Sequence, residues 1–174
     1  AFFILKASDD GFDVMGLGVD ASVILLYVLF NLFFVFFALL TGGLSDRIGR
    51  KPVIASSFLI FAITCGVMAV ADSYLLLVMA FAMFGIYKGS SEGVLKAYVI
   101  DVVPKGLRGT ALGAFHTAVG LVMLPGGIVA GLLWDIHGPW ATFAYGAATA
   151  LVALILLITI APSREPFPGM DGVR

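Results

Sequence analysis

The sequence predicts an all-α integral membrane protein, and three observations carry that prediction. First, 61% of its 174 residues are hydrophobic and only 12% are charged, against about 25% charged in an ordinary soluble domain. With a mean hydropathy of +1.09, there is too little polar surface to cover a soluble globule. Second, the apolar residues fall into five continuous runs, each reaching the roughly 20 residues that a helix needs to cross about 30 Å of hydrocarbon. Third, the charges collect between the runs and alternate in sign from one connection to the next.

The chain opens with AFFILKASDD. Its five leading apolar residues are too short to span, and no basic residues precede them as a signal peptide requires. They read as the end of a helix cut in half, so the chain reads as a fragment of a longer protein. Segment A runs from about Val19 to Leu44, and segment B from Val53 to Ala71. Segment C covers Tyr74 to Val103, segment D Gly109 to Ile136, and segment E Trp140 to Ala161. Continuous apolar runs in lipid become helices, because each backbone amide must find its partner within its own segment. A membrane barrel would show short alternating segments instead. Residues 1–161 thus form one transmembrane unit. Residues 162–174, rich in Pro and Gly and without periodicity, form a disordered tail.

The A–B connection holds Arg47, Arg50 and Lys51, and the C–D connection Lys105 and Arg108. The tail holds Arg164 and Arg174. The opposite side carries Asp9, Asp10, Asp13, Asp20, Asp72, Asp135 and His137, with Lys6 as its nearby base. Basic loops stay in the cytoplasm. The expected product is a multi-pass protein of the cell membrane with a cytoplasmic C-terminus. Cys65 lies inside segment B, without Cys or His at metal-ligand spacing, and reads as packing.

Glycine marks close helix contacts. Gly85, Gly89 and Gly93 recur every fourth residue of segment C, a smooth stripe on which another backbone can rest. Segment D begins with Gly109 and Gly113. It also carries Pro125, which removes a backbone donor and is expected to kink the helix.

The stretch GGLSDRIGRKP, Gly42 to Pro52, resembles the signature G-x-L-x-D-R-x-G-R-[RK] of the major facilitator superfamily. The matching residues are Gly42 (or Gly43, by register), Leu44, Asp46, Arg47, Gly49, Arg50 and Lys51. VIDVVPKGLRGTALG, from segment C into D, is similar to that family's passage between its fourth and fifth or tenth and eleventh helices. The resemblance spans the whole chain. It implies a C-terminal six-helix half: the end of helix seven plus five complete transmembrane helices, with the N-terminal half as missing partner. Segments A, C and D would line the cavity, and B and E would face lipid. A fainter internal echo pairs GGLSDRIG at the end of segment A with AGLLWDIHG at the end of D, as inverted repeats require. The resemblance also implies a cytoplasmic gate made of Gly42, Asp46, Arg47, Gly49, Arg50 and Lys51. In it Asp46 faces a helix end of the other half, where a partial positive charge favours an anion, and Arg50 pairs with Asp101. Independently, the bases fix topology and attract anionic headgroups.

Charges in mid-membrane cost at least about 2.5–3.5 kcal/mol each. Lys88, Glu92 and Lys96 stand four apart on one face of segment C. They are the leading candidates to line an aqueous cavity and bind substrate or a proton. Glu92 is the candidate titrating group, although it also neutralises lysines at i±4, and Lys96 is placed to snorkel. His116 in segment D is a further proton candidate or an interhelical hydrogen-bonding group. Asn31 in segment A is either interhelical glue or a substrate contact.

These features predict a secondary active transporter that moves a small-molecule solute by alternating access, coupled to protons or another ion, with the lipid bilayer as its surroundings. One alternative is a non-transporting sensor or scaffold on the same fold. A remote one is an intramembrane serine hydrolase, from GSSEG (Gly89 to Gly93) with Ser91 and His116, although that motif belongs on a strand-to-helix turn. No phosphate loop, zinc pattern or cofactor motif is present. No soluble basic surface suggests nucleic acid.

Overall fold

The computed structural model describes residues 2–9 and 18–160. Asp10, Asp13 and the 162–174 tail lie outside the described residues, as do the side chains of Asp9 and Asp20. The described chain is helical. A short α1 (Phe2–Asp9) precedes α2 (Val19–Ile48), α3 (Arg50–Ala69), α4 (Tyr74–Asp101), α5 (Arg108–His137) and α6 (Pro139–Thr159). The last five are long and apolar enough to cross a membrane, as the five apolar runs predict.

The boundaries differ instructively. The charged GGLSDRIGRKP stretch is expected to be a connection, yet α2 continues through Asp46 and Arg47 to Ile48. Only Gly49 separates it from α3, at φ 97° and ψ 157°. An L-residue at that φ is strained, so one glycine makes the turn. Gly138 does the same between α5 and α6, at φ 85°, and Pro139 starts the next helix, where its missing N–H costs nothing. The sequence echo is therefore a structural one. A 30-residue helix, a left-handed glycine and a shorter helix occur twice.

Elsewhere the ends follow local chemistry. The Ser73 hydroxyl accepts from the Leu76 amide and caps α4. Pro104 closes the far end, followed by a 3₁₀ turn at Lys105–Leu107. Pro125 does not end α5, which runs through it. Hydroxyls inside the spans turn back on their own helices: Thr41 donates to the Phe37 carbonyl and Thr64 to that of Ile60. This satisfies them where water is absent.

Packing centres on α4, which lies against α2 on one side and α3 on the other, with α6 behind α3. One core cluster joins Leu26, Cys65, Met68, Leu77, Phe81 and Phe143. A smaller one near the basic end joins Val53, Ile54 and Val94. Segment B, expected to face lipid, is exposed along one stripe only. Leu59, Ile63 and Val70 are exposed, whereas Val53, Ile54, Ser57, Thr64, Cys65 and Met68 are buried. α2 and α5 are more open, with Leu32, Val35, Leu39 and Leu121, Leu124, Ile128 forming exposed apolar stripes.

The glycine stripe is shorter than its spacing suggests. A Cβ on Gly85 would lie 2.5 Å from the Phe30 carbonyl oxygen, and one on Gly89 would strike the Phe34 carbonyl and sit 3.0 Å from the Ala38 amide nitrogen. At Gly93, and likewise at Gly109 and Gly113, nothing described lies within 4 Å. Of the three stripe glycines, only Gly85 and Gly89 sit in close contact with the α2 backbone.

The buried Thr142 hydroxyl donates to the Ala130 carbonyl across α5 and α6 at 2.9 Å. Interhelical hydrogen bonds in lipid contribute about 0.6 kcal/mol on average and up to about 1.7. Thr142→Val, nearly isosteric, is expected to destabilise the protein by about 1 kcal/mol, read as a lowered melting temperature of the detergent-purified protein.

Candidate functional site

The site is built on α4. Lys88 stands at the midpoint of this helix. Lys88 Nζ lies 3.3 Å from Glu92 Oε2, and Lys96 Nζ lies 3.4 Å from Glu92 Oε1. Each carboxylate oxygen thus serves one lysine. The i,i+4 spacing brings long side chains together on one helix flank. All three side chains remain about 40% exposed. Gly85 and Gly89, which seat α4 on α2, lie on the same side of the helix, so the charged row runs beside that seam. One turn beyond Lys88, Phe84 stacks on Phe3 and Phe30 with ring centroids at 4.5 and 5.2 Å. Aromatic packing therefore bounds the row on that side.

A second cluster forms at the basic end, between α2, α3 and α4. The Arg50 guanidinium reaches three groups. Its Nε lies 2.5 Å from Asp101 Oδ2, its Nη2 3.2 Å from Asp46 Oδ1, and its Nη1 donates to Ser45 Oγ at 3.1 Å. A planar fork of donors suits such divergent acceptors, where a single ammonium would not. Arg50 is 18% exposed, Asp101 38% and Asp46 65%. Asp46 thus has its outer side open, whereas Arg50 is enclosed. Ser45, fully buried, donates to the Gly42 carbonyl while accepting from Arg50. The sequence reading passed over Ser45, which occupies an unspecified position of the motif. Its signal was its place one residue before Asp46 and five before Arg50.

Above this cluster opens a pocket of about 260 Å³, lined by Gly42, Ser45, Asp46, Arg50, Gly89 and Gly93 among others. The glycine expected to pack, Gly93, instead leaves space here. Arg47 is exposed. The Lys51 ammonium donates to the Ile158 carbonyl in the last turn of α6 at 3.2 Å, where a cation offsets the helix's negative end.

Two further candidates stand apart from both clusters. The Asn31 amide donates to the Tyr27 carbonyl of its own helix at 2.7 Å. His116 is exposed on α5, its ring edge-on to neighbouring Phe115, with no hydrogen bond to another helix among the described residues. The hydrolase pair is not assembled. Ser91 lies inside the unbroken α4 with its hydroxyl on the Lys88 carbonyl, far from the strand-to-helix turn such a nucleophile needs. Among the described residues no group of three His, Cys, Asp or Glu side chains is placed to hold a metal ion.

Known proteins share this pattern. The sequence model of the Major Facilitator Superfamily matches residues 12–172. An uncharacterized MFS-type transporter of Methanocaldococcus jannaschii is 38% identical over 159 residues, covering 91% of this chain and 40% of the relative. A multidrug resistance protein of Citrobacter koseri is 32% identical over 143 residues, 80% of this chain and 34% of the relative. A proton myo-inositol cotransporter of Caenorhabditis elegans is 29% identical over 122 residues, 68% of this chain and 20% of the relative. The chain thus spans well under half the length of these relatives. Five membrane-length helices, the charged turn at Gly49 and the match over residues 12–172 lead to one conclusion: this multi-pass membrane protein belongs to the major facilitator superfamily.

Proposed function

We propose that the chain is the C-terminal transmembrane half (residues 1–161) of a secondary active transporter, which moves a small solute by alternating access. The observation that carries this reading is the Lys88–Glu92–Lys96 row, half-exposed at mid-span. Facing lipid, such a row would be costly; facing a water-filled cavity between two halves, it is a binding surface. The apolar stripes of α2 and α5 supply faces on which the N-terminal half rocks. In this reading the Arg50 cluster is the cytoplasmic gate, and Asp46, with its outer side open, meets a helix N-terminus of the opposite half. The positive-inside rule then puts Gly49, the 3₁₀ turn and the C-terminal tail in the cytoplasm. Coupling is to protons or another ion, with Glu92 as the carboxylate nearest the site. The name of the Caenorhabditis elegans cotransporter gives proton coupling a precedent within the family.

Lys88→Ala and Glu92→Ala in the full-length protein test this. The transported solute is first found by comparing cells with and without the protein. Each variant is then expected to reach the membrane at unchanged level and to lose flux by tenfold or more, the effect of about 1.4 kcal/mol at the transport barrier. Unchanged flux in both variants would remove the row from the pathway and favour a sensor or scaffold.

A further inference from the structure

We propose that the Lys88–Glu92–Lys96 row binds a small organic monocarboxylate with an apolar body, and that Glu92 holds the carboxylate's place while the site is empty. This rests on the reading of α4 as cavity-lining and names the substrate class of that site.

Four observations support it. The row carries two ammonium groups and one carboxylate, a net charge of +1 when all three are ionised. One bound monoanion neutralises it; a cation would meet two lysines and a carboxylate already engaged by both. Among the described acids, only Glu92 stands within the middle of a span, because Asp46, Asp72, Asp101 and Asp135 sit at or beyond helix ends. Among the described residues, an entering anion therefore meets no second carboxylate at that depth. Each lysine gives Glu92 a single contact, at 3.3 and 3.4 Å. An ammonium has three donors, so both lysines keep capacity toward the open side. The apolar boundary is equally specific. Phe84 lies one turn from Lys88 on the same flank, backed by Phe3 and Phe30, and α-helical side chains lean toward the helix N-terminus. A carboxylate on Lys88 would thus place its body toward these rings. Loading is then an exchange: the ligand takes the Lys88 contact, and Glu92 keeps that with Lys96.

The test uses purified full-length protein in detergent and three probes of matched shape: benzoate, benzamide and benzylammonium. Ligand that binds only the folded state raises the melting temperature in a concentration-dependent way. Benzoate is expected to do so at millimolar concentration, while benzamide and benzylammonium have no effect. Lys88→Gln should abolish the benzoate shift, and Lys88→Arg should retain it, which guards against a merely misfolded variant. Glu92→Gln removes the internal competitor and should lower the benzoate concentration for half-effect roughly five-fold, the upper end for an exposed ion pair. The proposal is overturned if benzoate gives no shift, if benzamide matches it, or if the shift survives Lys88→Gln. Protection by benzylammonium that is lost in Glu92→Gln would overturn the anion class alone and leave the cavity reading standing. If flux also survives Lys88→Ala and Glu92→Ala, the cavity reading falls with it.

Discussion

Gly89→Leu, and equally Gly85→Leu, is expected to prevent α4 from seating on α2 and to leave no monodisperse, folded protein after detergent extraction. The atoms a side chain would meet here are backbone. The Phe30 carbonyl lies 2.5 Å from a Cβ on Gly85, and the Phe34 carbonyl and Ala38 amide crowd one on Gly89. Backbone in the middle of a helix cannot rotate aside as a side-chain tip can, so the two helices must separate along their whole seam. Overpacking in a core typically costs about 1–3 kcal/mol, occasionally more, and a lost seam adds the dispersion contacts along it, which supply much of helix association in lipid. Even Gly89→Ala is expected to lower the melting temperature by several degrees. Gly93→Ala is the internal control. Nothing described approaches its Cβ, so it should melt with the wild type. Equal damage from Gly93→Ala and Gly89→Ala would contradict this account of the seam.

Arg50→Ala carries the second large effect. It removes at once the partner of Asp101, the partner of Asp46 and the donor to buried Ser45. Hydrogen bonds to charged groups contribute about 1.5–3 kcal/mol each. If the cluster closes the cytoplasmic side, losing even about 2 kcal/mol shifts the balance toward the cytoplasm-open state roughly 30-fold. Flux should fall accordingly, and a Gly93→Cys reporter, in the adjoining pocket, should react faster with a water-soluble thiol reagent. Arg50→Lys is expected to restore little, because one ammonium cannot reach Nε, Nη1 and Nη2 positions together. The charge exchange Arg50→Asp with Asp101→Arg should recover part of the gate but not the bond to Ser45. Wild-type reactivity at Gly93→Cys in the Arg50→Ala background would detach this cluster from gating.

The contrast among the glycines shows what a sequence can and cannot reveal about such a fold. Hydropathy locates every span, because lipid forces each apolar run into a helix of known length. It does not locate helix ends. α2 runs through the charged motif to Ile48 because only Gly49 adopts the left-handed φ that breaks it. Spacing also says which residues share a helix flank without naming what they touch. Four residues advance a helix by about 400°, so a glycine every fourth position drifts about 40° per step. By Gly93 the stripe has turned about 80° from Gly85, and α2 and α4 stand apart there around the pocket that Ala38, Gly42 and Gly93 line. Asn31 shows the same limit. A polar residue in an apolar run raises a question, and the nearest acceptor, the Tyr27 carbonyl one turn back, answers it for Asn31 without a second helix. The charged row was legible because Lys, Glu and Lys at i±4 reach one another whatever the tertiary packing. Ser45 was not, because only the folded position of Arg50 makes it a partner.

Solvent access along α4 tests the central claim most directly. In full-length protein with Cys65→Ser, Lys88→Cys, Glu92→Cys and Lys96→Cys are made one at a time, with Leu59→Cys and Ile63→Cys on the exposed apolar stripe of α3 for comparison. Each is treated in intact membranes with a charged thiol reagent that acts only from water. If α4 lines the transport cavity, the three α4 positions are labelled, and the two α3 positions react only with a lipid-soluble maleimide. If Lys88→Cys and Glu92→Cys resist the charged reagent from both sides and yield only to the lipid-soluble one, the row faces hydrocarbon, and the cavity assignment is wrong.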